Sequence, residues 1–224
     1  MATTGINDFL NKKYKELDFD GEWLASFGKP EKNFKCCVAG ASGNGKTEFV
    51  IKLTKYLASF TKVYYNSHEQ KFSKSLRDAL HRNNMREVNG KVVFADGESV
   101  EEMDERLSKR NSPGAIVIDS RDYMKLTIDQ FVYLINKYPH KCFIVICWAS
   151  GSKPKGSHAE AIEYCCDVKI LVKDFKALMR SRFGGNKPFD IWPDRNNKAK
   201  TPAKGEQSDL FSATLNAEIP TINA

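Results

Sequence analysis

Several features are missing from this sequence, and each absence excludes something. No apolar run approaches the roughly 20 residues that a membrane-crossing helix needs. The opening MATTGINDFLNKKYK has no apolar stretch followed by small residues, so no secretory signal pattern is present. No Cys-x-x-Cys occurs. The six cysteines are Cys36, Cys37, Cys142, Cys147, Cys165 and Cys166, and two adjacent pairs give no zinc spacing. Most lie in apolar runs such as FKCCVAG and CFIVICW, where a thiol acts as a small hydrophobe. A reduced, cytoplasmic protein is the expectation. No internal repeat is visible, which argues against a solenoid. What is present suits one modest globular domain: 224 residues, 41% of them hydrophobic. The formal net charge is +7, and residues 1–35 and 194–224 are each locally neutral. The excess therefore falls on the middle of the chain and suggests a polyanionic partner, nucleotide or nucleic acid.

The chain divides into three parts. Residues 1–33 read as an extension, with a helix over 6–17 and a brace at GEWLASFGKPEKN carrying two large aromatics. Residues 34–193 read as the core. Apolar strands are expected at 34–39, 62–66, 91–95, 115–119, 143–148 and 168–172. Helical patterns alternate with them at 47–59, 72–83, 100–111, 128–138 and 158–165. Unbroken apolar strands separated by helices predict an α/β fold, with a mainly parallel sheet covered on both faces. Two further strands, 177–183 and 189–192, flank Gly184-Gly185-Asn186 and predict an antiparallel hairpin at the sheet edge. Residues 194–224 are polar, with few places to build a core, and read as a flexible tail.

The strongest chemical signal is Gly40-Ala41-Ser42-Gly43-Asn44-Gly45-Lys46-Thr47, which matches GxxxxGK[ST] at every fixed position. An apolar strand precedes it and an amphipathic helix follows. Glycines let backbone N–H groups curl around phosphate oxygens, and the helix N-terminus adds partial positive charge. Gly40 through Thr47, with Glu48, are the candidate ATP contacts. Lys46 reaches the β- and γ-phosphates, and Thr47 is a candidate Mg²⁺ ligand. Ala-Ile-Val-Ile-Asp119 is a strand ending in a carboxylate, which makes Asp119 the second metal candidate. Hydrolysis also needs a base for water. Glu69, just past the second strand, meets this need if that strand lies beside the Asp119 strand.

These segments resemble the RecA-like ATPases, in particular the RadA and replicative-helicase branch. GASGNGKTEF is similar to the family's phosphate loop. VYYNSHEQ is similar to the strand that ends in its catalytic glutamate. AIVIDS is similar to its metal-binding strand. AIEYCCDVKILV followed by Arg180-Ser181-Arg182-Phe183-Gly184 is similar to a RadA stretch whose basic residues reach the ATP of the next subunit. The resemblance spans roughly residues 34–192. It implies ATP hydrolysis with Mg²⁺ in a homo-oligomer, a hexameric ring or a filament, with Arg180 and Arg182 completing a neighbour's site. It also implies action on single-stranded DNA in recombination, branch migration or replication. A stand-alone core of this kind is associated with phages and mobile elements, which would place it in a bacterial host cytoplasm. One departure stands out. The family's fifth strand ends in a polar sensor, and here Trp148 takes that place.

Two loops would face the channel of such a ring. One holds Lys125. The other, 151–156, is glycine-flanked, mobile and doubly basic through Lys153 and Lys155, and suits sequence-independent phosphate contacts. In the tail, Gln207-Ser208-Asp209-Leu210-Phe211 resembles the peptide that docks on bacterial sliding clamps, with Gln207, Leu210 and Phe211 as its anchors. Two rival readings remain. One is a nucleotide-gated adaptor with little turnover, and the other a small-molecule kinase.

Overall fold

A computed structural model describes residues 3–192. Residues 193–224, including the clamp-type peptide, lie outside the described residues. In chain order the elements begin with α1 (Ile6–Leu10), α2 (Gly21–Phe27), β1 (Lys35–Gly40), α3 (Lys46–Leu57), β2 (Val63–Ser67), α4 (Lys74–Arg82) and a 3-10 turn at Met85–Val88. β3 (Val92–Ala95), α5 (Val100–Ser108), β4 (Ala115–Asp119), α6 (Arg121–Met124) and α7 (Ile128–Lys137) follow. The chain continues through β5 (Cys142–Ser150), β6 (Lys153–Pro154), α8 (Ser157–Tyr164), β7 (Val168–Lys173), β8 (Lys176–Ser181) and β9 (Phe189–Asp190).

The sheet runs β3-β2-β4-β5-β1-β7-β8-β9, with β6 hydrogen-bonded to β5. It is parallel from β3 to β7 and antiparallel from β7 to β9. β2, β4 and most of β5 are buried on both faces, as their apolar runs demand. One core joins α2, α3 and α4 to the sheet through Phe27, Phe49, Leu53, Leu76 and Ile144. The opposite core joins α5, α7 and α8 through Met103, Phe131, Ile162 and Phe143. Among the described residues, three helix starts have a side-chain cap, with Ser73 accepting from Leu76 N–H at α4. Ser99–Glu102 and Thr127–Gln130 form reciprocal capping boxes at α5 and α7.

The aromatics at 19–34 pack on the first core. Trp23 stacks on Tyr56 with ring centroids 5.1 Å apart and meets Phe189 at 4.4 Å. Tyr56 donates its hydroxyl to Asp20 Oδ1 at 2.7 Å. A Cβ on Gly28 would fall 1.9 Å from the Phe183 carbonyl oxygen, so only glycine permits that crossing. Five of the six cysteines are buried, and all six are free thiols.

Two expectations need correction, the long first helix and the open 151–156 loop. The helix over 6–17 is only five residues long, because Ile6 and Leu10 find no apolar partner surface and stay exposed. The chain then turns to pair with residues 30–32. The expected antiparallel hairpin at the sheet edge is present as β8 against β9, and β7 is joined to β8 by a further tight turn at Asp174-Phe175. Both turn residues have positive φ, as a two-residue hairpin requires. The 151–156 segment is not an open loop. β5 extends to Ser150 and pairs with Lys153-Pro154 across Gly151-Ser152.

Candidate nucleotide site

The phosphate loop joins β1 to α3. Gly43 and Gly45 take positive φ, which turns the loop back on itself at little steric cost. Gly40 is required for a different reason. A Cβ there would lie 2.5 Å from the Val172 carbonyl oxygen of β7. Lys46 opens α3 and is 7% exposed. Its Nζ donates to the Ala41 carbonyl at 3.0 Å, across the cradle a phosphate would fill. Burial lowers its pKa, while the carboxylates of Glu69, Asp119 and Asp122 act in the opposite direction.

Asp119 ends β4 and is fully buried. Its Oδ2 accepts from the Tyr65 hydroxyl at 2.5 Å. Its Oδ1 is buried with no hydrogen-bond partner. Burial pushes this carboxyl up to about 6. The Tyr65 hydrogen bond and Lys46 oppose that shift, and Glu69 adds to it. An unpartnered buried carboxylate oxygen is costly unless a cation or its water takes it up. Thr47 has only a long contact, Gln70 Nε2 to its Oγ1 at 3.4 Å. Thr47 and Asp119 therefore fit Mg²⁺, which binds through one or two protein oxygens plus substrate phosphates. No group of three or more acidic, histidine or cysteine ligands occurs among the described residues.

β2 does lie beside β4, with Ser67 opposite Asp119. The chain leaving β2 is tied to the Asp119 carbonyl, which accepts from Glu69 N–H at 3.0 Å. Glu69 thereby lines the same pocket as Ser42, Gly43, Gly45, Lys46 and Thr47, a space of about 260 Å³. Its neighbour His68 is taken up structurally, 2.8 Å from the Glu98 carbonyl oxygen.

The other candidates are dispersed. Glu48 also lines the phosphate pocket, but it is mostly buried, and its carboxylate accepts from Arg82 Nη2 at 3.0 Å and Asn83 Nδ2 at 2.7 Å. It clamps α3 to α4. Arg82 and Trp192 line the outer wall of the phosphate pocket. Trp148 lies opposite Gly40 in the β1–β5 register and is 40% exposed. With Tyr123 and Lys155 it lines an adjoining cleft of about 320 Å³ whose walls include Gly40, Ala41, Ser42 and Glu69 of the nucleotide site. Lys125 is exposed at the end of α6. Lys153 and Arg180 share a cavity with Lys169, away from the phosphate loop. Arg182 lies 3.5 Å from Asp167. Within this single chain, neither arginine lines the phosphate pocket.

Sequence reasoning missed Tyr65, Gln70 and Arg82. Tyr65 belongs to a strand with no polar alternation, so its reach to Asp119 had no local signal. Arg82 follows from α4 packing against α3.

No protein-family model matches the chain, and no curated protein matches it. Among solved structures, it is similar to a KaiC-like protein from the hyperthermophilic archaeon Pyrococcus horikoshii OT3. Identity is 16%, the TM-score is 0.57, and the match covers 79% of this chain and 94% of that one. It is also similar to the ATPase domain of G40P, at 14% identity and a TM-score of 0.49 over 70% of this chain and 80% of that one. Together with the strand order and the phosphate loop, the first of these likenesses shows the fold: a RecA-like P-loop ATPase fold, with a mostly parallel sheet flanked by helices.

Proposed function

We propose that this chain binds MgATP, hydrolyses it, and uses that turnover on single-stranded DNA in recombination, branch migration or replication. One observation carries the ATPase reading. The phosphate loop and Glu69 line one pocket, and the buried Asp119, whose Oδ1 has no partner, is tied to Glu69 through its own carbonyl and lies within the field of Lys46. The loop N–H groups and Lys46 hold the phosphates. Lys46 is drawn from the Ala41 carbonyl to the β- and γ-oxygens. Thr47 and Asp119 would hold Mg²⁺, which supplies charge neutralisation at the β- and γ-phosphates. Glu69 takes the proton of the attacking water as its oxygen bonds to the γ-phosphorus. The bond to the bridging oxygen breaks, and ADP keeps that oxygen.

In our reading the active form is an oligomer, a ring or filament, with Arg182 completing a neighbour's site. Arg182 is largely exposed beyond β8, and its contact with Asp167 is long enough to yield to a phosphate. DNA association is supported by the basic charge of the core and by Lys125 and Lys155 on exposed segments. The clamp-type peptide at 207–211 would add a protein partner. A second reading rests on Trp148. A tryptophan beside the phosphate loop offers no polar link to the γ-phosphate, which favours a nucleotide-gated adaptor with little turnover.

Steady-state ATP hydrolysis, with and without single-stranded DNA and across protein concentrations, separates the two. DNA-stimulated turnover with a steep concentration dependence supports the motor reading. ATP binding without turnover under every condition contradicts it and favours the adaptor.

A further inference from the structure

The sheet is covered unevenly. β1, β2, β4 and β5 contribute side chains to both cores, whereas β7 and β8 contribute to only one. Along β7 the buried residues are Val168, Ile170 and Val172, so Lys169, Leu171 and Lys173 turn outward. Along β8, Ala177 and Met179 turn inward, and Lys176, Leu178 and Arg180 turn outward.

The register sets these outward residues directly opposite one another: Lys169 against Arg180, Leu171 against Leu178, Lys173 against Lys176. Like charges directly opposite in an antiparallel pair destabilise it. Two of these three pairs are cation on cation. Asp190 offsets one of them, 3.3 Å from Lys176. Lys169, Lys173 and Arg180 have no carboxylate partner among the described residues. A polyanion on this face would relieve the repulsion.

The same face forms one wall of a cavity of about 530 Å³ that Lys153, Tyr164 and one carboxylate, Glu163, help to close. Tyr164, the last residue of α8, is 74% exposed. Its ring lies 4.9 Å from Lys169 Nζ. An open aromatic ring, the exposed Leu178 beside the half-buried Leu171, and cations without a carboxylate partner thus share one face. An acidic peptide would use the charges alone, whereas a single-stranded nucleic acid would use both the flat apolar seat and the charges.

We infer that this face of β7 and β8 binds single-stranded nucleic acid. Tyr164 and the Leu171–Leu178 pair seat a base, and Lys153, Lys169, Lys173 and Arg180 contact phosphates. The inference rests on the nucleic-acid reading above and moves Arg180 from a neighbour's nucleotide to the strand. The hairpin also connects this face to the ATP site. At its turn, Asp174 N–H donates to Asn44 Oδ1 of the phosphate loop at 3.1 Å. The Phe175 ring packs where a Cβ on Gly45 would lie, at 3.3 Å. This physical link supplies a coupling route that Trp148 does not.

The test is a salt titration of a labelled oligothymidylate bound to the full chain, followed by anisotropy. Four phosphate contacts predict a slope of log K against log salt of about −3, at about −0.7 per contact for single strands. Lys169→Ala should make the slope shallower by about 0.7. Tyr164→Ala should weaken binding about fivefold or more with the slope unchanged. Both variants should keep the unstimulated ATP turnover and lose the DNA-stimulated increment. Lys169→Ala should melt no lower than the parent, since it removes a repulsion. Wild-type affinity and slope in both variants would overturn the site and leave the nucleic-acid reading standing. No oligonucleotide binding and no stimulation by the parent chain would overturn both. Equal competition by polyglutamate would assign the face to acidic peptide and overturn the inference. Unchanged oligonucleotide binding with altered concentration dependence of turnover would assign it to a second copy, with the same result.

Discussion

Replacing Asp119 with asparagine separates what this residue does for catalysis from what it costs the fold. Burial raises its carboxyl from 3.8 to about 6. Between those values the folded chain holds a proton that the unfolded chain has released. Folding is therefore favoured below pH 3.8, and that contribution is lost as pH rises through 6. A shift of about two units at 1.36 kcal/mol each makes ionised Asp119 cost about 3 kcal/mol above pH 7. The Asp119→Asn variant carries no such charge. Its amide still accepts from Tyr65, but an N–H now lies where Oδ1 had no partner, at a cost of about 1 kcal/mol or more. The variant should be more stable than the parent by about 1–2 kcal/mol at pH 8. It should lose that advantage below pH 4, and it should not turn over ATP. Urea unfolding at a series of pH values, without nucleotide, measures the difference. A variant less stable at every pH, with a curve parallel to the parent's, would refute the reasoning. The same shift predicts that MgATP raises the parent's melting temperature more at pH 8 than at pH 5.

Further substitutions test the site and the fold. Glu69→Gln should lower kcat by 10²–10⁴, about what general-base catalysis contributes, and leave ATP affinity near the parent value in a binding titration. Gly40→Ala should fail to bind ATP and melt earlier, because the new Cβ meets the Val172 carbonyl oxygen at 2.5 Å. An unperturbed melting curve would show that β7 does not pack so closely. Trp23→Ala should destabilise the chain by about 3–5 kcal/mol, since its ring lies against Tyr56, Phe49 and Phe189. Chemical denaturation would report it.

Legibility in the sequence followed how local each signal was. AIVID and FIVIC read as buried strands because two-sided burial leaves no polar position. The phosphate loop was legible because its glycines, lysine and threonine have fixed spacing. Glu69 was legible only conditionally, since its use depended on β2 lying beside β4. The Asp174-Phe175 turn was not legible, because phenylalanine seldom takes positive φ; here its ring packs against the phosphate loop and Trp192. Gly151-Ser152 read as part of a loop because a two-residue strand carries no periodicity. Glu48 read as a nucleotide contact from its place beside Thr47. Its capture by Arg82 and Asn83 required knowing that α4 crosses α3. The pairing of Lys169 with Arg180 is a matter of register, which distant residues fix together.

The most direct test of the central claim is phosphate release from ATP in the presence of Mg²⁺, comparing the parent chain with Lys46→Ala. The account predicts turnover by the parent and loss of at least about 10²-fold in the variant, the scale of removing one preorganised charge from the reacting oxygens. Equal turnover by both chains would contradict the assignment of the site.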